Sequence, residues 1–171
     1  MVTEQPDTAY RTYVSYIDKS REFYAAHGYE RPYRWARFDD VPFTPLPRPL
    51  SELRVGLVTT STLPGESPDA GPDDRPPKAA YAAPMEPIPD RLYTMDLSWD
   101  KEATHTNDVA SFLPARELQA AKASKLIGST SARFYGVPTE YSQRATKDHD
   151  APAVLDFMKE DGVEAAILVP L

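Results

Sequence analysis

Arg54-Val55-Gly56-Leu57-Val58-Thr59-Thr60 is the stretch that decides the fold. It is a short, nearly continuous apolar run containing two valines. A parallel strand buried on both faces has this composition. Ala165-Ala166-Ile167-Leu168-Val169 is its counterpart, apolar throughout and too short for a helix. The two are expected as neighbouring or near-neighbouring parallel strands of one sheet, both buried.

Parallel strands need long crossovers, usually helical, and the intervening sequence supplies them. Pro114 opens a helix running to about Lys125, with Glu117 near its positive end. Asp150 is expected to cap a last helix, with Ala151 and Pro152 in its first turn. Val154, Leu155 and Met158 would face the core, and Gly162 would stop the helix. Arg91–Trp99 alternates well enough for a second strand, and Ser131–Tyr135 for another short one. Helices interleaved with buried runs predict an α/β fold: a mostly parallel sheet flanked by helices, in Rossmann- or flavodoxin-like layers.

Residues 1–53 read as an N-terminal helix and a Pro/aromatic arm packed on a single α/β domain, 54–171. Tyr10, Tyr13, Val14, Ile17, Tyr24 and Ala25 recur at helical spacing from about Thr8 to Ala26. Asp7 suits the N-cap and Gly28 the stop. Pro32, Pro42, Pro45, Pro47 and Pro49, with Tyr33, Trp35, Phe38 and Phe43 between them, exclude a helix or a central strand. This arm either wraps the core or receives a partner. Residues 61–89 read as one long loop, least ordered at 68–78, where no large apolar residue occurs.

The 171 residues carry 19 basic and 26 acidic side chains, a net charge of -7. That balance argues against nucleic acid and against an anionic membrane surface. No apolar run approaches the roughly 18 residues of a membrane span, and the first residues lack a signal pattern. The reading is a cytoplasmic protein. Cys is absent, which removes disulfides and a cysteine nucleophile from these residues. Three scattered histidines give no metal-ligand spacing, so no metal is expected.

Glycine-rich phosphate loops and a Gly-x-Ser-x-Gly elbow do not occur in the sequence. Ligands of open α/β sheets sit at the carboxyl ends of the strands, which singles out Thr59 and Thr60. Their hydroxyls can hold a carboxylate or phosphate, or simply suit a strand end. His27 sits where it can cap a helix, and His149 reads as exposed. His105 precedes Asp108 by three residues in a polar loop. The pair can act as a base and its orienter, or be solvated. Thr59, Thr60, His105 and Asp108 are the substrate-binding candidates, expected together at the carboxyl edge.

Several stretches taken in order resemble one family. They are Tyr16-Ile17-Asp18, Tyr29-Glu30-Arg31-Pro32-Tyr33-Arg34-Trp35, Val41-Pro42, Pro49 to Thr60, and His105 to Gly136 with its Phe-x-Pro and Ile127-Gly128-Ser129. Their order is similar to that of small members of the selenoprotein B family, the glycine/sarcosine/betaine/D-proline reductases. The resemblance implies reductive cleavage of a carbon–nitrogen bond alpha to a carboxylate. A selenolate or thiolate attacks the alpha carbon of an amino acid activated on a pyruvoyl-bearing partner subunit; the amine leaves, and a dithiol reduces the product. It implies no cofactor within this chain.

The resemblance places the redox residue just beyond Leu171, so no catalytic residue is expected among those given. A selenocysteine codon read as stop and a truncated homologue are the two alternatives. The chain alone is expected to be inert as a reductase and to show an apolar flank near Leu171. A non-catalytic scaffold and a small-ligand-binding α/β module are the other functions open to the sequence.

Overall fold

The computed structural model describes residues 15–29, 31, 36–41, 44–64, 78–94, 105–139 and 142–171. The chain divides into two compact units, Met1–Pro42 and Phe43–Leu171. The division falls before the arm ends, so Thr44–Leu53 belongs with the sheet.

In the first unit, helix α1 spans Tyr16–Ala26. Ser15 caps it, its Oγ accepting the Asp18 N–H at 3.2 Å and donating to the Asp18 carboxylate at 2.7 Å. The helix therefore starts at Tyr16 rather than running unbroken from about Thr8, because Ser15 is extended; Asp7, the expected cap, and 8–14 lie outside the described residues. His27 Nδ1 bonds the Phe23 carbonyl at 2.8 Å, in the last turn, as its position suggested. Of the Pro/aromatic arm, 32–35 and 42–43 lie outside the described residues. Phe38, Val41, Leu46 and Leu50 are exposed.

The second unit is an α/β fold around a mixed, mostly parallel sheet. Strand β1 is Arg54–Thr59, β2 Tyr81–Pro84, β3 Ser129–Thr130, β4 Arg133–Gly136 and β5 Ala165–Val169. β1 pairs in parallel with β3, β4 and β5, and β2 pairs antiparallel with β4. Val55 pairs with both Thr130 and Ala165, and Thr59 with both Gly136 and Val169. A strand has two edges, so β3 and β4 share one edge of β1 and β5 takes the other. β3 and β4 are thus one interrupted strand. Between the two pairings β1 advances from 55 to 58 while its neighbour advances from 130 to 135. Residues 131–132 bulge out, and the Ala132 carbonyl accepts the Met85 N–H at 2.8 Å.

Alternation along the strands builds two cores. Val55, Leu57, Ala83 and Phe134 face one side with Phe112, Leu113 and Leu118. Those residues belong to or precede helix α2, Ala115–Ala123. Val58 and Tyr135 face the other side with Val154 of helix α4, Ala151–Glu160. The result is three layers with the sheet in the middle.

The expected parallel pairing of β1 and β5 is present over five residue pairs. β1 is buried from Val55 to Thr59, as expected. β5 is not buried: Ala166, Ile167 and Leu168 are exposed. Among the described residues it forms the sheet's edge, and α4 packs over β2 and β4 instead.

Four other sequence readings are corrected. Leu155, expected to face the core from α4, is half exposed, while Val154 beside it is buried. A strand, β2, crosses the presumed loop 61–89, of which 65–77 lie outside the described residues. Residues 91–94 form only a single bridge, Thr62 with Tyr93, rather than a strand; 95–104 lie outside the described residues. Asp150 is not a cap. Its backbone is helical and its side chain makes no capping bond. The helical run starts earlier, at α3, Gln143–Ala145, where Ser142 Oγ accepts the Ala145 N–H at 3.1 Å. It reaches α4 through a wide π-type turn, Thr146–Asp150. Pro152 has no N–H and its ring crowds the carbonyl four residues back, which favours that widening.

The three longer helices end alike. After α1 the N–H groups of Gly28 and Tyr29 bond Ala25 and Tyr24 carbonyls. After α4 those of Gly162 and Val163 bond Lys159 and Met158. After α2 those of Lys125 and Leu126 bond Lys122 and Ala121. Each is a Schellman closure whose pivotal residue has positive φ: 80°, 64° and, at Lys125, 60°. A side chain there costs about 1 kcal/mol or more. Lys125→Gly is therefore expected to stabilise the protein by about 1 kcal/mol, read as a higher urea midpoint at unchanged slope.

Candidate functional site

The parallel strands β1, β4 and β5 end on one edge, and the chain is tied together there. Thr59 is fully buried. Its Oγ1 donates to Ser61 Oγ at 3.1 Å and accepts the Ser61 N–H at 3.3 Å. This hydroxyl closes the turn and does not face solvent. Thr60 is half-buried. Its Oγ1 accepts the Leu171 N–H at 2.8 Å, and its carbonyl accepts the Thr139 N–H at 3.2 Å. Thr60 thus joins the ends of all three parallel strands.

Next to it, Tyr81 lies across Gly136; a Cβ at 136 would come within 1.9 Å of the Tyr81 ring. The Tyr81 hydroxyl donates to the Ser61 carbonyl at 3.0 Å, and burial pushes its pKa up. Lys78 Nζ bonds the Thr139 carbonyl.

His105 and Asp108 are exposed and belong to a different loop. His105 Nδ1 accepts the Asn107 N–H at 3.4 Å rather than meeting Asp108. The Asp108 carbonyl accepts Ser111 N–H and Oγ–H at 3.2 and 2.7 Å. Among the described residues no hydrogen bond joins His105 or Asp108 to Thr59 or Thr60. A backbone bridge joins the turn after β1 to the 90–94 segment instead. Thr62 and Tyr93 exchange backbone bonds of 2.6 and 2.9 Å. Tyr93 then lines a cleft of about 180 Å³ with Asp90, Arg91, Leu92, Thr106 and Asn107.

That volume lies below the roughly 300 Å³ at which small-molecule sites usually begin. Asp90 and Arg91 place both charge signs at the cleft, and neither forms an ion pair among the described residues. The sequence did carry a signal, an Asp-Arg pair between Pro89 and a core leucine, but the strand reading absorbed it.

The opposite, amino edge holds the densest polar network among the described residues. The buried Tyr135 hydroxyl donates to Asp161 Oδ2 at 2.6 Å and shares a 2.7 Å bond with Ser131 Oγ. Arg133 Nε donates to the same Asp161 oxygen at 2.9 Å, and its Nη2 reaches Glu160 at 3.0 Å. The Asp161 carbonyl accepts from Arg54 at 2.6 Å. Arg133 beside Asp161 holds that carboxyl below the usual range. Burial, then the bond to Asp161, pushes Tyr135 up to about 12. No buried side-chain polar atom lacks a partner among the described residues. The network locks the end of α4 to β4 and offers no open group to a ligand.

Among the described residues no cluster of three metal-ligating side chains occurs, and no helix is long and apolar enough to cross a membrane. Comparison with models of protein families, with curated proteins and with solved structures finds no match to this chain.

Proposed function

We propose that this chain is the α/β subunit of a cytoplasmic, dithiol-dependent reductase of the glycine/sarcosine/betaine/D-proline type. Its substrate is a small amino acid, and its partner is the subunit that carries the pyruvoyl group. The family resemblance supplies the reaction. One structural observation supports it: β1 and β5 run side by side to the same edge, where Leu171 N–H bonds Thr60 Oγ1. A redox residue following β5 would stand beside Thr60, in the position where α/β sheets hold ligands. Thr62 ties that position to the cleft of Asp90, Arg91, Thr106 and Asn107.

The described residues would bind and orient. Thr60 fixes the backbone after β5, and Arg91 offers a planar donor pair for a carboxylate. The bond made is between the selenium or sulfur and the alpha carbon, and the bond broken is the carbon–nitrogen bond. The amine departs with that bond's electrons and a proton, and the dithiol supplies the two electrons that release the product.

The test measures amine or ring-opened product from glycine, sarcosine, betaine and D-proline, with a dithiol and the pyruvoyl-bearing subunit. The chain ending at Leu171, which has no Cys, should give no turnover. The same chain continued by a segment with Cys or selenocysteine in its first positions should turn over one of the four. A continued chain inert with all four would overturn the proposal.

A further inference from the structure

The carbonyls of Val55 and Thr59 accept N–H groups from Ser131 and Val137, at 3.0 and 2.9 Å. The odd-numbered residues of β1 therefore bond towards β3 and β4. Its even-numbered residues, Arg54, Gly56 and Val58, bond towards β5. With Val55 paired to Ala165, the pattern of a parallel ladder assigns Ala165, Ile167 and Val169 to the bonds with β1. The N–H and C=O groups of Ala166 and Leu168 then point away from the sheet. No strand pairs with them among the described residues.

The side chains along this edge are equally open, with Ile167 45% and Leu168 74% exposed. Edge strands are normally guarded by charges, proline or a bulge. The opposite edge, β2, ends on Pro84. β5 has no charge and no proline between Ala165 and Val169.

We infer that β5 pairs with β5 of a second copy of this chain, antiparallel about a two-fold axis at Ile167. The register follows from the parity. Ala166 opposite Leu168 of the second copy, and Leu168 opposite its Ala166, are hydrogen-bonded pairs, giving four backbone bonds. On one face the large Leu168 meets the small Ala166; on the other, the two Ile167 side chains meet at the closer, non-bonded spacing. The symmetry is that of an isologous dimer.

The strand itself carries no charged side chain, and its flanking Glu164 is held by Arg48 and the Arg54 N–H; the net charge of -7 on each copy opposes the association at long range, so salt should favour it. The area sets the strength. An edge of five residues is about 17 Å long, and two such edges cover several hundred Å², short of the roughly 1,200 Å² of a stable complex. The dimer is weak and depends on concentration.

Sedimentation velocity of the full chain over a wide concentration range tests this, with Leu168→Lys and Ala166→Pro as variants. Leu168 is exposed enough for the lysine to be tolerated, and the parity leaves the Ala166 N–H outside the β1 ladder, so proline removes only an edge donor. The wild type should pass from monomer to dimer as concentration rises. Both variants should need at least tenfold more protein, with unchanged circular dichroism. A wild type monomeric throughout, or variants that dimerise equally well, would overturn the inference. So would slow exchange of the Ala166 and Leu168 amides at every concentration, because another segment would then hold the edge.

Discussion

Phe134→Ala should lower the stability of the protein by about 3–5 kcal/mol. Phe134 is buried to 1% exposure in β4, between β1 and β2, where it packs with Leu57, Ala83, Phe112 and Leu118. Tyr81 meets its ring edge-on at 6.1 Å. Truncation would leave a cavity between the sheet and α2 that cannot collapse without moving both, and it would remove the ring on which Tyr81 rests. For a domain with a net stability of about 5–15 kcal/mol, this loss would leave a marginal fold. Urea unfolding should show a much lower midpoint. Leu155→Ala is the control: half of Leu155 is exposed, so the change should cost about 0.5 kcal/mol or less.

The second large effect is a stability profile that falls at both ends of the pH scale through one network. Asp161 is held below the usual carboxylate range, first by its bond to Arg133. A depressed carboxyl contributes stability above its unfolded value, near 3.9, and loses it as the pH falls through the folded value. Tyr135 has the opposite sign. Its folded value is about 12 against an ordinary 10, because burial and Asp161 disfavour the phenolate. Stability is therefore intact below 10 and drains as the pH rises from 10 to about 12.

Asp161→Asn should flatten the acid limb and Tyr135→Phe the alkaline one. The Phe variant should also lose about 1–2 kcal/mol at neutral pH, because the hydroxyl bonds both Asp161 and Ser131. Melting temperatures from pH 3 to 11.5 would show both limbs. Limbs unchanged in the variants would mean that other groups set the profile.

How much of this was legible in the sequence depended on how local the cause was. β1 and β5 could be read because an uninterrupted apolar run has few other homes. Gly28 and Gly162 could be read as helix stops because positive φ favours glycine. Lys125 makes the same closure and escaped notice because its side chain gives no sign of it. β2 was missed because Tyr81-Ala82-Ala83-Pro84 is short, alanine-rich and set among prolines; its pairing with β4 makes it a strand.

Asp150 looked like a cap because Pro152 follows it, yet the widened turn carries the helix past both to Ser142. The exposure of β5 was also illegible, since apolar composition does not say which strand lies at the edge. At the candidate site the sequence located Thr60 but not its partners Thr139 and Leu171, which are distant along the chain. The cleft depends on the bridge between Thr62 and Tyr93, which no local pattern encodes.

On the proposed function, the edge where β1 and β5 end is the one that meets partner and substrate. Hydrogen exchange of the chain, alone and then with the pyruvoyl-bearing subunit and substrate, tests it most directly. Slowed exchange is expected at Thr60, Thr62, Tyr93, Asn107 and Leu171, with Arg54, Ser129 and Asp161 at the amino edge unchanged. Protection confined to the amino edge, or none at either edge, would contradict it.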